Sequence, residues 1–119
     1  MLIIITNRSG KKWILPKGQQ EREISNARVG IEEAVEEAGV VGNLVDEKCY
    51  KDFERKGGTL LRVYPLYINN LLREWPEQHL RKRKLVSVKQ ALSLVTRKEH
   101  VDAIKYFSKP RILKQLSRR

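Results

Sequence analysis

Residues 13–42, WILPKGQQEREISNARVGIEEAVEEAGVVG, constrain the fold of this chain more than any other stretch. A glycine-containing loop opens into a segment whose residues sort cleanly by the helical period of 3.6, or about 100° per residue. With Glu33 at zero, Glu37 falls at about +40°, Glu36 at about −60° and Glu32 at about −100°. Ala27, Ile31, Ala34, Val35 and Ala38 fall between about 100° and 200°. One side is acidic and the other apolar, so the helix buries its stripe against a sheet and the carboxylates converge outside the core. Ser25 as N-cap and Gly39 as terminator set its ends, while Pro16 and Gly18 make the approach a tight loop.

Glutamates three and four residues apart repel, at a few tenths of a kcal/mol per pair. A bound cation reverses that sign. Carboxylate oxygens with retained waters suit Mg²⁺ or Mn²⁺, ions that bridge to substrate phosphates. The competing reading of the same charges is a solvated helix face.

Gly18, Glu33, Glu36, Glu37, Gly39 and Val40 stand at a spacing that resembles the Nudix box: a glycine, a distal glutamate, then Arg-Glu, an aliphatic residue, Glu-Glu, glycine and an aliphatic residue. The lead-in at 13–18, WILPKG, is similar to that of the branch holding diphosphoinositol polyphosphate phosphohydrolases and diadenosine polyphosphate hydrolases. Residues 73–95, REWPEQHLRKRKLVSVKQALSLV, are similar to that branch's closing segment, so the resemblance covers nearly the whole chain. It implies a single Nudix-like domain over 1–119, an α/β/α sandwich around a mixed sheet. It also implies metal-assisted attack of water on a phosphoanhydride. Carried over residue by residue, Glu33, Glu36 and Glu37 hold Mg²⁺ or Mn²⁺ with the Gly18 carbonyl, Glu33 is the first candidate for the base, and Glu77 in the distal loop is the second. Trp75 in that loop either stacks on a base, covers the pocket or is structural.

The pattern departs at two box positions. Ile24 stands where the family has its first glutamate, with Glu21 and Glu23 close by, and Glu32 stands where it has an arginine that orients the neighbouring catalytic glutamate. Arg28, four residues before Glu32, is placed to neutralise that added negative charge. Family members also begin with one more strand, so Leu2–Ile5 is expected to form an unpaired apolar edge. A sheet completed by a partner chain, hence a homodimer, is one way to cover it, and a longer true N-terminus is another.

Charge gives an independent view of the substrate. Twenty-five Lys and Arg against fourteen Asp and Glu give a formal +11, although eight of the acids lie between Glu21 and Glu47. The remaining surface is more basic still, a field that attracts polyanions. Arg8, Lys11, Lys12 and Lys17 can line a phosphate path and Arg81, Lys82, Arg83 and Lys84 form a second cluster; Arg8, Lys17 and Arg62 are the chosen phosphate ligands. The favoured substrates are diadenosine polyphosphates and diphosphoinositol polyphosphates. An RNA 5′ end is an alternative polyanion, although the eight aromatics show no recurring stacking signature. A catalytically silent nucleotide- or nucleic-acid-binding module, suggested by Ile24 and Glu32, is the alternative from another class.

No apolar run is long enough to span a membrane, and one cysteine, Cys49, fits a reducing cytoplasm. Cys49 reads as a small structural hydrophobe, and His79 and His100 as surface or capping residues. Alternation predicts two long strands over 44–53 and 59–68 joined at Gly57-Gly58, then a short strand over 84–88. Ser87 is expected to cap a helix over 88–95, and Thr96 with Glu99 a second reaching about Phe107. Pro110 should interrupt that helix, leaving a short basic turn or helix behind it.

Overall fold

The computed structural model describes residues 2–16, 26–46 and 48–117. Lys17, Gly18, Glu21, Glu23, Ile24 and the Ser25 cap lie outside the described residues. The run LIIIT forms β1 (Leu2–Thr6), with Ile3, Ile4 and Ile5 all buried. A strand apolar on both faces is one covered on both faces. β1 lies in the middle of a three-stranded antiparallel sheet, between β2 (Trp13–Ile14) and β7 (Arg83–Val86). The expected unpaired edge at Leu2–Ile5 holds in part: β7 pairs with Leu2–Ile5 along one side, whereas on the other β2 pairs only with Ile5 and Thr6, leaving Leu2–Ile4 without a strand partner there among the described residues.

Side-chain alternation on β1 divides the core in two. Ile3 and Ile5 pack with Ile14, Val40 and the alanines Ala34 and Ala38 of α1 (Asn26–Ala38). Ile4 faces the other way, against Val86 of β7, Ala91 of α2 (Val88–Leu94), Val95 just past its end and Ile104 of α3 (Lys98–Phe107). Helix, sheet and helices make the α/β/α arrangement. The parallel component is a single bridge between Trp13 and Val95.

The middle of the chain departs from the two long strands expected. β3 (Val40–Leu44) pairs with β6 (Leu66–Leu71), and β4 (Lys51–Glu54) pairs with β5 (Leu60–Val63) across the Gly57-Gly58 turn. Both runs break at the same level of the ribbon. On one side the Asp46 carboxylate accepts the Lys48 N–H at 2.8 Å and its carbonyl accepts from Cys49 at 3.0 Å, closing a turn. On the other side Pro65 has no N–H to offer a ladder.

Ser87 and Gln90 form the capping box that opens α2. Thr96 and Glu99 do not form one. The chain stays extended through Val95, and α3 begins behind Arg97, which makes no side-chain cap. Pro110 starts α4 (Pro110–Ser117), at a helical position that needs no N–H. His79 is exposed as expected, but His100 is not a surface residue. Only 1% of it is accessible, and its Nδ1 accepts the Leu15 N–H at 3.0 Å where β2 has ended.

Gly39 ends α1 with φ +63°, and a Cβ there would lie 2.8 Å from Arg83 Nη1 and 2.9 Å from Trp75 Cδ2. Gly39→Ala combines left-handed strain with a clash, so a loss of about 1–3 kcal/mol is expected in urea unfolding. A change under about 0.5 kcal/mol would show that the helix end yields freely.

Candidate metal centre

The C-terminus of α1 leaves backbone carbonyls without helical partners. Three consecutive ones are taken by the segment that carries Glu77. The Glu77 N–H donates to the Glu36 carbonyl at 3.0 Å, Trp75 Nε1 to that of Glu37 at 3.0 Å, and Arg83 Nη1 to that of Ala38 at 3.0 Å. The Arg83 guanidinium also stacks on Trp75, 4.2 Å from the ring centroid, and places positive charge at the negative end of the helix. Trp75 is thus a structural residue that fastens the distal loop, not a free stacking platform.

This clamp brings Glu77 to the acidic face of α1. Among the described residues, Glu33, Glu36 and Glu77 each offer a carboxylate oxygen, and these oxygens all lie within 4.8 Å of one another. Glu36 is exposed, while Glu33 and Glu77 are half-buried. Partial burial pushes the Glu33 carboxyl above its ordinary value; Glu36 and Glu77 add repulsion, and a hydrogen bond with Glu37 and the charge of Arg81 act in the opposite sense. Hard oxygen donors, mutual repulsion and a solvent-facing side fit a divalent cation of the Mg²⁺ or Mn²⁺ type.

Glu37 is not outside the core as the helical projection suggested. It is 4% accessible and lies behind the cluster, with Oε2 at 3.7 Å from Arg81 Nη2. Arg81 is itself buried. Its Nε donates to Glu77 at 3.0 Å and its Nη1 to the Thr6 carbonyl at 3.1 Å. Sequence reading placed Arg81 in a second basic cluster with Lys82, Arg83 and Lys84 and missed this role. The available signal was its i,i+4 spacing from Glu77. Glu32, at the position where the family keeps an arginine, points to solvent and pairs with Arg28 at 3.0 Å, so its charge is met locally. The cation serving the carboxylates comes instead from the distal segment.

The bond from Arg81 to Thr6 sets the end of β1 beside the cluster, and with it the turn over residues 7–12. Arg8, Lys11 and Lys12 are exposed on that turn, where the Asn7 carboxamide oxygen accepts the Lys11 and Lys12 N–H groups. Arg62 is engaged elsewhere: Asp52 accepts from its Nε at 2.7 Å and from its Nη2 at 3.0 Å, and the guanidinium lies 3.9 Å from the Tyr50 ring centroid. That bidentate pair holds the Asp52 carboxyl below its ordinary value. Lys17 and Gly18 lie outside the described residues.

No protein-family model matches the chain. Individual relatives do. It is 31% identical over 110 residues to Nudix hydrolase 21, chloroplastic, of Arabidopsis thaliana, a match covering 90% of this chain and 56% of that protein. It is 36% identical over 93 residues to Nudix hydrolase 18, mitochondrial, of the same plant, covering 76% and 53%. The chain belongs to the Nudix superfamily. A third relative is diphosphoinositol polyphosphate phosphohydrolase 3-beta of Bos taurus, 29% identical over 99 residues and covering 80% and 59%. The chain spans about half the length of the curated relatives it matches. The α/β/α arrangement is the Nudix fold, and its α1 is the Nudix helix. Among the described residues, no helix is long and apolar enough to cross a membrane.

Proposed function

We propose that this Nudix chain is a divalent-metal-dependent pyrophosphohydrolase acting on a small polyphosphate. The observation that carries the reading is the meeting of Glu33, Glu36 and Glu77 within 4.8 Å, two from the Nudix helix and one delivered by the distal clamp. Those three carboxylates would hold Mg²⁺ or Mn²⁺, with the Gly18 carbonyl as a further ligand. When bound, such a cation polarises phosphoryl oxygens and neutralises charge on the leaving group.

Glu33 would take the proton of the attacking water, because its carboxylate belongs to the cluster that would hold the cation. Glu77 is the second candidate for that role. Arg81 holds Glu77 on one side and Glu37 on the other, fixing the direction of the carboxylates. Glu37, facing Arg81 from inside, acts through the cluster as well as being a candidate ligand. Arg8 and Lys17, with Lys11 and Lys12 beside them, would bind the phosphates away from the scissile bond, and Arg62 would bind at a greater distance from the carboxylates. Diadenosine polyphosphates and diphosphoinositol polyphosphates are the leading substrates. One cysteine fits a reducing compartment, which we read as the cytoplasm.

The test is a panel of diadenosine polyphosphates, diphosphoinositol polyphosphates, ADP-ribose, nucleoside triphosphates and triphosphorylated RNA, incubated with Mg²⁺, with Mn²⁺ or with chelator. Release of phosphate or nucleotide that stops with chelator is expected from one of the first two classes. Cleavage of triphosphorylated RNA alone would shift the substrate to an RNA 5′ end. Tight polyanion binding without turnover across the panel would make the chain a silent binding module.

A further inference from the structure

The charges of this chain are unevenly placed. Residues 103–119 carry six Lys and Arg and no acid, whereas eight of the fourteen acids lie between Glu21 and Glu47. The fold puts α1 on the Ile3 and Ile5 side of β1 and α3, which leads into α4, on the Ile4 side. The cations of α3 and α4 therefore belong to the layer opposite the Nudix helix and take no part in the chemistry above.

Tyr106 marks where they gather. Its ring meets Phe53 of β4 and the adjacent Phe107, both edge-on, at centroid distances of 6.2 and 5.0 Å. Three of the eight aromatics, dispersed in sequence, are brought together in this way. Two ammonium groups stand over the same ring, Lys51 of β4 at 4.9 Å and Lys109 of the α3–α4 link at 5.6 Å. Such like charges repel. The acids of these elements are engaged or turned away: Asp52 holds Arg62, Asp102 holds Lys98, and alternation sets Glu54 on the other side of β4 from Lys51. Among the described residues, Lys51, Lys105, Lys109, Arg111 and Lys114 are all exposed and none makes an ion pair.

We infer that the face built by β4, the end of α3 and α4 binds a single-stranded nucleic acid without regard to sequence, apart from the carboxylate cluster. Unpaired cations that follow a phosphate backbone, with aromatic rings set among them, are the combination that single strands use. An ammonium that leaves the Tyr106 ring for a phosphate uncovers a ring face for a base. A flexible strand follows cations contributed by three elements, which a straight duplex does not. A membrane surface fits less well, because it needs a helix whose apolar residues turn outward. α4 buries Ile112 against the body of the protein and exposes Leu113 alone among its large apolar residues.

A fluorescent oligouridylate of about twelve nucleotides with a 5′ hydroxyl is a suitable probe, since it holds no phosphoanhydride. Anisotropy titrations with chelator present, from low to physiological salt, would compare the wild type with two double variants of equal net charge. Lys109→Gln/Lys114→Gln changes the proposed face; Lys48→Gln/Lys89→Gln changes exposed lysines elsewhere. The first pair is expected to weaken binding by about tenfold or more and to flatten the slope of log Kd against log salt by about 1.4, for two phosphate contacts at about 0.7 each. The second pair should stay within about twofold of the wild type. Metal-dependent turnover of a small polyphosphate by the first pair should also stay within about twofold, and failure of the hydrolase reading leaves the titration as it is. No binding by the wild type, equal losses in the two pairs, or tighter binding of an A·U duplex of the same length would overturn the assignment. So would tighter binding of phosphatidylserine vesicles or of polyglutamate, which would give the face to a membrane or to an acidic protein.

Discussion

Glu33→Gln is expected to lower metal-dependent turnover by about 10²–10⁴-fold, the usual contribution of a positioned general base. Glutamine keeps the shape and a carbonyl oxygen but cannot accept the proton of water. Misfolding would be a trivial cause of such a loss, and the melting temperature of the variant distinguishes it. An acid whose folded-state pKa lies above its unfolded value is disfavoured as a carboxylate by the fold, so it costs stability above that folded value and the cost disappears as pH falls below the unfolded one. Removing its charge relieves desolvation and the repulsion from Glu36 and Glu77. The metal-free variant should therefore melt at or above the wild-type temperature at pH 7. Loss of turnover with retained melting supports the role; turnover within tenfold of wild type would move the base to Glu77.

Arg81→Met should produce the largest loss of stability, about 3–5 kcal/mol. The guanidinium is one of few cations buried in the described fold, and it faces two carboxylates, Glu37 at 3.7 Å and Glu77 at 3.0 Å, as well as the Thr6 carbonyl. Methionine fills the volume but takes away the guanidinium that faces Glu77 and the 4% accessible Glu37. Set against a total stability of about 5–15 kcal/mol, the melting temperature should fall by of the order of 10 °C or more. Arg81→Lys keeps the charge without the planar fork and should lose less. A urea midpoint unchanged by Arg81→Met would show that the buried guanidinium does not hold the distal segment to α1 and β1.

The Nudix helix was legible because its information is local: a period of 3.6, apolar residues on one side and a glycine at the end. The strand LIIIT and the Ser87-Gln90 cap were legible for the same reason. What sequence could not supply were contacts between distant segments. The position of Glu77 depends on three helix carbonyls accepting from Glu77, Trp75 and Arg83, and no periodicity encodes such a clamp. Arg81 read as one charge in RKRK because solvated lysines and arginines look alike until the segment before β7 turns one of them in against Glu77 and the Thr6 carbonyl. Glu37 projected onto the acidic face, but the same distal segment covers it and supplies its cation. His100 was read as a surface or capping residue; it is buried and caps the Leu15 N–H, a partner 85 residues away that no local pattern reveals.

The central claim is that Glu33, Glu36 and Glu77 form one divalent-metal site. Mn²⁺ titration followed by electron paramagnetic resonance, on the wild type and on Glu36→Gln, Glu77→Gln and the double variant, tests it directly. Each single replacement is expected to weaken Mn²⁺ by about tenfold or more, and the double variant by less than the product of the two, since both residues serve one ion. Equal affinity in Glu77→Gln and wild type would contradict the account, because the distal clamp would then deliver a carboxylate that no metal uses.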